Sequence, residues 1–300
     1  MRLTFFYLIG IIISFLFVSA EIRAAACPCS APSRSMSQAG KTGIENRIYQ
    51  IRSEDKPLSA SMRLGGLYDS RVGAASSLLT EGQEDWAIAA TLAAGWQVPI
   101  EGDFGLRLDY VGYMNFYRDY DEYNVIDQTL FIEPQYVMGD FFLSLPMGFN
   151  PAVEDTKTDY LRYSLSPTVT YYMAGLNQAF ALNGTAAFID DQDDIAADED
   201  GRSFGAGAAY LFFFGERSRL KLSFDYLRTQ YDARLIDYLT GTDSPIRRKD
   251  DVFSSNIDIL YNFTEHIGVF AGYTYMVTSS NVDVYDYHRN LVEGGIAWRY

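Results

Sequence analysis

The chain holds two histidines, His266 and His288, and two cysteines, Cys27 and Cys29. Nucleophilic, general acid–base and metal chemistry draw on these residue types, so the options are few. His288 closes the triplet Asp286-Tyr287-His288. In an extended strand that spacing puts the carboxylate and the imidazole on one face, a general-base arrangement wherever a substrate can reach it. His266 follows Thr264 and Glu265 and reads as polar filling of a turn. Both cysteines lie near the start and none in the body, so no disulfide framework or cysteine metal site holds the fold. None of these groups calls for a cofactor.

The remaining candidates are charged residues spaced through an alternating pattern, and the pattern says what positions them. From residue 58 to the last residue, apolar and polar side chains alternate. Phe104, Leu106, Leu108, Tyr110, Gly112, Met114 and Phe116 fall on one face of an extended segment, against Arg107, Asp109, Tyr113 and Asn115 on the other. A helix would set Arg107 and Asp109 among Leu106 and Tyr110 and give no amphipathic stripe. The same period places Phe204, Ala206, Ala208, Tyr210 and Phe212 against Gly205, Gly207 and Ala209, and Leu220, Leu222 and Phe224 against Lys221, Ser223 and Asp225. Strands are expected near 58–69, 84–98, 104–117, 125–138, 141–150, 159–173, 178–189, 202–214, 219–231, 252–263, 267–277 and 287–300.

About twelve strands, an even number, suit an all-β, transmembrane, antiparallel up-and-down barrel. Links at 99–103, 139–140, 174–177, 215–218 and 264–266 are short, whereas most of the others, such as 70–83, 190–201 and 232–251, are long and polar. Short turns on one side of a membrane and long loops on the other are the habit of such barrels. The twelve steps from Phe104 to Phe116 make ~40 Å of strand, ~30 Å when tilted by about 40°, enough for the apolar band. Aromatic girdles are expected at both edges: Trp96, Phe104, Tyr136, Phe141, Tyr171, Phe212, Phe263 and Trp298 at the turn side, and Trp86, Phe116, Phe149, Tyr163, Phe188, Phe204, Tyr226 and Tyr275 at the loop side. Upstream, Arg2 and the apolar run Leu3–Ala20 lead to Ala24-Ala25-Ala26, the layout of a secretory signal peptide at 1–26, with Val18-Ser19-Ala20 as a second cleavage site. Residues 27–57 are polar and unpatterned and read as a flexible periplasmic arm before a barrel of 58–300. The net charge is −15, and losing Arg2, Glu21 and Arg23 leaves −16, a balance that excludes nucleic acid as a partner.

The last strand carries a resemblance. Leu291-Val292-Glu293-Gly294-Gly295-Ile296-Ala297-Trp298-Arg299-Tyr300 alternates and stops on an aromatic residue. It resembles the carboxy-terminal signal of bacterial outer-membrane barrels, which usually ends in Phe, and so implies the barrel-assembly machinery as a partner through the strand ending at Tyr300. Ser280 to Asn290 resembles a segment of porin-like barrels and of the barrel of surface lipoprotein assembly modifiers. Both resemblances imply a Gram-negative outer membrane. Ala24-Ala25-Ala26-Cys27 loosely resembles a lipobox, which would acylate Cys27. Asp286 and His288 resemble the Asp-x-His dyad of omptin proteases, which have ten strands and a facing acidic pair. Outer-membrane phospholipases pair His with a Ser two residues on, where this chain has Asn290.

With one face given to lipid, the other lines the lumen. Arg63, Arg107, Arg162, Lys221 and Arg299 stand there against Asp109, Glu133, Asp225, Asp258 and Glu293. Such a balanced set either lines a pore that orients polar solutes or forms cross-strand ion pairs that fill the barrel. Gly205, Gly207, Gly268, Gly272 and Gly295 on the same face leave space and lean towards a passage. Asp190, Asp191, Asp193, Asp194, Asp198, Glu199 and Asp200 crowd one outer segment whose spacing does not fit a calcium loop. It reads as a solvated loop, or one that meets anionic lipopolysaccharide through cations. The expectation is a porin-like channel for small hydrophilic solutes, not an enzyme. Its alternatives are a non-conducting barrel that anchors or exports a surface protein or polysaccharide, and a rim hydrolase using Asp286 and His288. Intact-mass measurement of the protein from isolated outer membranes should give a chain beginning at Cys27, and a mass that includes residues 1–26 would contradict the cleavage site.

Overall fold

The computed structural model describes residues 57–72, 83–100, 102–154, 157–173, 177–191, 200–214, 218–237, 242–282 and 285–300. The expected signal peptide, the arm, both cysteines and most of the acidic segment lie outside the described residues. Fourteen strands run in chain order: β1 (Leu58–Val72), β2 (Gln83–Val98), β3 (Phe104–Tyr117), β4 (Val125–Met138), β5 (Phe141–Ser144), β6 (Met147–Glu154), β7 (Lys157–Leu165), β8 (Thr168–Met173), β9 (Gln178–Asp191), β10 (Gly201–Phe214), β11 (Ser218–Asp237), β12 (Thr242–Asn262), β13 (Ile267–Ser280) and β14 (Tyr287–Arg299). They form one antiparallel sheet in which β14 returns to pair with β1, so the sheet closes as a barrel.

The barrel has twelve staves, because two of them are broken. β5 and β6 both pair with β4, and β7 and β8 both pair with β9. The breaks fall at Leu145-Pro146 and Ser166-Pro167. Proline has no N–H to give the ladder, so pairing stops there and resumes two residues later. The gap is bridged where Ser166 N donates to Pro146 O at 2.9 Å.

Elsewhere the strands other than β12 start within about two residues of where alternation places them, and the departures lie at the loop side. β11 and β12 pair as far as Asp237↔Thr242, so most of the segment expected as a loop at 232–251 is strand. Twenty residues of strand reach ~66 Å, more than a bilayer requires, so this hairpin extends beyond the rim. Outside the hydrocarbon a strand needs no apolar face, and composition there gives no alternation to read. Between β3 and β4, Asp85 accepts the N–H groups of Asp119 and Tyr120 at 2.9 and 3.2 Å and shapes a 3-10 turn at Asp121–Tyr123.

The outside is apolar. Leu64, Ile88, Leu130, Ile132, Leu182, Phe224, Ile257 and Ile296 are exposed along it, while their neighbours one position away turn inward and are covered. All eight aromatic residues expected at the turn-side girdle are exposed. At the loop side, the rings of Phe149 and Tyr163 meet across strands at 5.5 Å, as those of Tyr68 and Trp86 do at 5.1 Å, both pairs tilted. No helix of the described residues is long and apolar enough to cross a membrane. Strands with this exterior are what would cross it.

Closure depends on a seam of glycines. Gly65 pairs with Gly295 and Gly66 with Gly294 where β1 meets β14. A Cβ on Gly295 would land on the Leu64 carbonyl oxygen and 2.5 Å from Gly65 Cα, and one on Gly65 would land on Gly294 O. Gly66 faces outward with nothing within 4 Å of the same position. Gly295→Ala should therefore abolish or sharply reduce the heat-modifiable folded band in gel electrophoresis, while Gly66→Ala folds as the native chain does. Equal folding of the two variants would contradict the seam.

Candidate functional site: the charged inner wall

Inward positions of β3 and β4 carry the first group of charges. Arg107 and Asp109 are two apart on β3 and share its inner face, with Arg107 Nε 2.7 Å from Asp109 Oδ2 and Nη2 2.6 Å from Oδ1. The pair is buried, and it fits because Gly95 stands opposite Asp109 on β2. A Cβ there would collide with both side chains. Glu133, fully covered, faces Arg107 across the β3–β4 pair.

The second group spans β11 to β14 and reaches β1. Lys221 stands opposite Asp258, which also lies 3.6 Å from Arg219 and 3.1 Å from Arg63. Arg63 comes from β1 and passes over two intervening strands, its guanidinium 5.0 Å from the Phe270 ring centroid. Small inward residues, Gly268, Gly272 and Ala297, clear that path. Glu293 lies against Gly272, where a Cβ would come 2.9 Å from its Oε1. Asp225 lies against Gly207 in the same way. In a ring of twelve staves β3 is six from β11 and β4 six from β12, so the two groups stand on opposite walls.

The inner glycines are thus occupied. Gly207 and Gly272 receive the side chains of Asp225 and Glu293, and the space read from sequence as a passage is taken by charges lying flat on the wall. Gly205 and Gly268 stand within contact range of the neighbouring strands' backbone, and Gly295 belongs to the seam. Of the other expected lining residues, Arg162 stands on β7 opposite Asn150 of β6. Arg299 is at the turn-side rim, its Nε donating to Glu265 O at 2.8 Å.

Alternation alone did not single out a third cluster nearer the loop side. Asp69 is fully buried, accepts the Tyr117 hydroxyl at 2.7 Å and Arg289 Nε at 2.9 Å, and forms an ion pair with Arg289 Nη2. Asp69 is on β1 and Arg289 on β14, so the pair staples the closure seam from inside. It rests on an apolar floor of Leu67, Ala87, Ala89, Tyr113 and Leu291. Further out, Arg248 pairs with Asp250 at 2.5 Å and lies between the rings of Tyr231 and Tyr285 at 4.5 and 3.6 Å. Asp69 shares the inward parity of Arg63, a signal present in the sequence. Arg248 and Asp250 fell in the segment read as a loop.

The Asp286–His288 pair faces away from the lumen. His288 is exposed on the outer surface, opposite Val277 and in the cross-strand row of Phe253. Asp286 accepts the Ser280 N–H through Oδ1 at 2.5 Å. His266 contributes its ring Nδ1 to a contact with Arg299 O at 3.0 Å, as a turn residue. Among the described residues no group of three His, Cys, Asp or Glu side chains is placed to hold a metal ion.

No family model matches the chain, and no curated protein matches it. Solved structures do. An outer-membrane channel from Pseudomonas putida F1 aligns at 11% identity and a TM-score of 0.53, over 81% of this chain and 94% of that one. The NanC porin aligns at 10% identity and a TM-score of 0.49, over 79% and 98%. The translocator domain of the autotransporter NalP from Neisseria meningitidis aligns at 12% identity and 0.40, over 90% and 100%. The chain has the outer-membrane β-barrel fold. At these identities the likeness is one of fold, and the apolar exterior of this barrel gives the physical reason for placing it in that membrane. Asp69→Ala would leave Arg289 without its partner across the seam, and urea unfolding in lipid vesicles should show a loss of about 3 kcal/mol. An unchanged midpoint would contradict the staple.

Proposed function

We propose that the barrel is an outer-membrane channel for small hydrophilic solutes. The observation that supports this most is the pair of charged groups on opposite walls: Arg107, Asp109 and Glu133 face the stave positions of Lys221, Asp225 and Asp258 across a barrel whose inner wall also carries polar residues such as Gln128, Asn150, Ser223 and Asn256. Fixed charges of both signs give a polar solute partners for its own donors and acceptors and replace part of its hydration. Because they lie flat on the wall, they line a passage without each projecting into it.

A second reading is favoured by burial. Leu67, Val111 and Leu211 expose 1% and Lys221 and Asp258 2% of their surface, although all point inward. Eight staves already enclose an interior just wide enough for side chains to fill, and twelve enclose more. Inward residues so fully covered support a closed, non-conducting barrel that anchors or exports a partner. The two readings separate in a planar bilayer. The channel reading predicts steady unit conductance from the refolded mature protein, and a several-fold shift of permeability towards cations when Arg107 and Lys221 are both changed to Gln. Silence, with β-structure intact by circular dichroism and with residues 27–57 either present or removed, would contradict the channel and support anchoring.

A further inference from the structure

The outer surface of β10, β11 and β12 changes character over one step. Up to Phe204, Tyr226 and Phe253 the outward side chains are largely apolar and aromatic, with the rings of Tyr226 and Phe253 4.9 Å apart. The next outward positions towards the loop side are charged, Arg202 on β10, Arg228 on β11 and Asp251 on β12, and Lys249 and Arg247 follow on β12. Arg202 on β10 stands opposite Gln230 on β11, and Gln230 opposite Lys249 on β12. Arg228 stands between Phe204 and Asp251, and Arg247 lies one outward position beyond Lys249. All four basic side chains are exposed. With neighbouring strands ~4.8 Å apart, Arg202 and Lys249 are about 10 Å from each other. Among the described residues three acids share this surface, one of them Asp200, two residues before Arg202. Asp251 accepts the Tyr226 hydroxyl at 2.5 Å and lies 3.8 Å from Arg228 Nε, and Asp190 is exposed on β9. Among the described residues four cations stand against three acids, a positive balance in a chain whose net charge is −15. Arg228 stays 46% exposed beside Asp251. Elsewhere on this rim, Glu84 on β2 is acidic and Arg118 is beside Asp119 at 3.7 Å.

We propose that this face binds the phosphate groups of an anionic lipid of the outer leaflet. The level of the patch argues for a lipid over a soluble anion. It begins where the aromatic girdle ends, so a phosphate held by Arg202, Arg228 and Lys249 has its acyl chains directed down over Phe204, Phe224 and Phe253. The spacing of about 10 Å lets three cations on adjacent strands meet two phosphates of one headgroup. The proposal is independent of whether the lumen conducts.

The test uses the full mature protein in neutral detergent, with bis-phosphorylated lipid A as the probe and its dephosphorylated form as the comparison, and reads binding by native mass spectrometry. The native chain should prefer the phosphorylated form, and the variant carrying R202Q, R228Q and K249Q should bind it at least roughly tenfold more weakly. Its folding is checked by the heat-induced gel shift. Should that variant not fold, K249Q alone, with a salt titration of the native complex, reads the same charge dependence. Equal binding of the two lipid forms by the native chain would overturn the proposal. So would native-like affinity in the folded triple variant, or in K249Q together with a salt-independent native complex.

Discussion

A backbone N–H or C=O that faces hydrocarbon without a partner costs several kcal/mol, so a sheet in a membrane must leave no edge. In this chain that requirement falls on one place, the pairing of β1 with β14. Nine registered pairs, from Ser61↔Arg299 to Asp69↔Leu291, remove both edges at once. The two strands join the beginning of the barrel to its end, and Tyr300 N still reaches Ala60 O at 2.8 Å. Gly65 and Gly295 let the backbones approach there, and Asp69 with Arg289 holds them from the inner side. The polar inner wall exists only because this seam shuts.

The inner wall follows the same economy of space. Each inward charge needs an opposite partner and room to lie down, and alternation supplies both. Residues directly opposite on neighbouring strands share a face, so Arg107 meets Glu133 and Lys221 meets Asp258. Where a side chain must cross to another stave, the position it covers is Gly or Ala: Gly95 beneath Arg107 and Asp109, and Gly272 beneath Glu293. Arg63 reaches furthest, joining β1 to β12 over the inner faces of β13 and β14, and there it lies against the Phe270 ring. These contacts tie staves that are not neighbours in the sheet.

Much of this was legible in the sequence because a period of two is a local property. Phe104 to Tyr117 shows which residues face lipid without knowledge of any partner strand, and the stave count and turn-side girdle follow from repeating that reading. Partnership was not legible. Asp69 and Arg289 are 220 residues apart, each near the loop-side end of an expected strand, and nothing in either strand names the other. The glycines were visible, but only register shows that Asp225 and Glu293 fill the space they leave. Pro146 and Pro167 did carry a readable signal, the missing N–H that divides two staves. The pairing of β11 with β12 past residue 231 carried none, since charged residues fall at both parities there, as Arg247, Arg248, Lys249 and Asp250 do in succession. His288 shows the converse error: a chemically suggestive spacing that the outward parity of its strand turns towards the exterior.

The central claim is that one face of every stave meets lipid and the other the lumen, and a nitroxide scan along β3 tests it most directly. Single cysteines from Phe104 to Tyr117, in a chain with Cys27 and Cys29 changed to Ser, would be labelled and reconstituted in lipid vesicles. Collisions with dissolved oxygen should rise and fall with a period of two, high at Leu106, Leu108 and Tyr110 and low at Arg107, Asp109 and Val111. A flat profile, or one with the faces exchanged, would contradict the barrel as described.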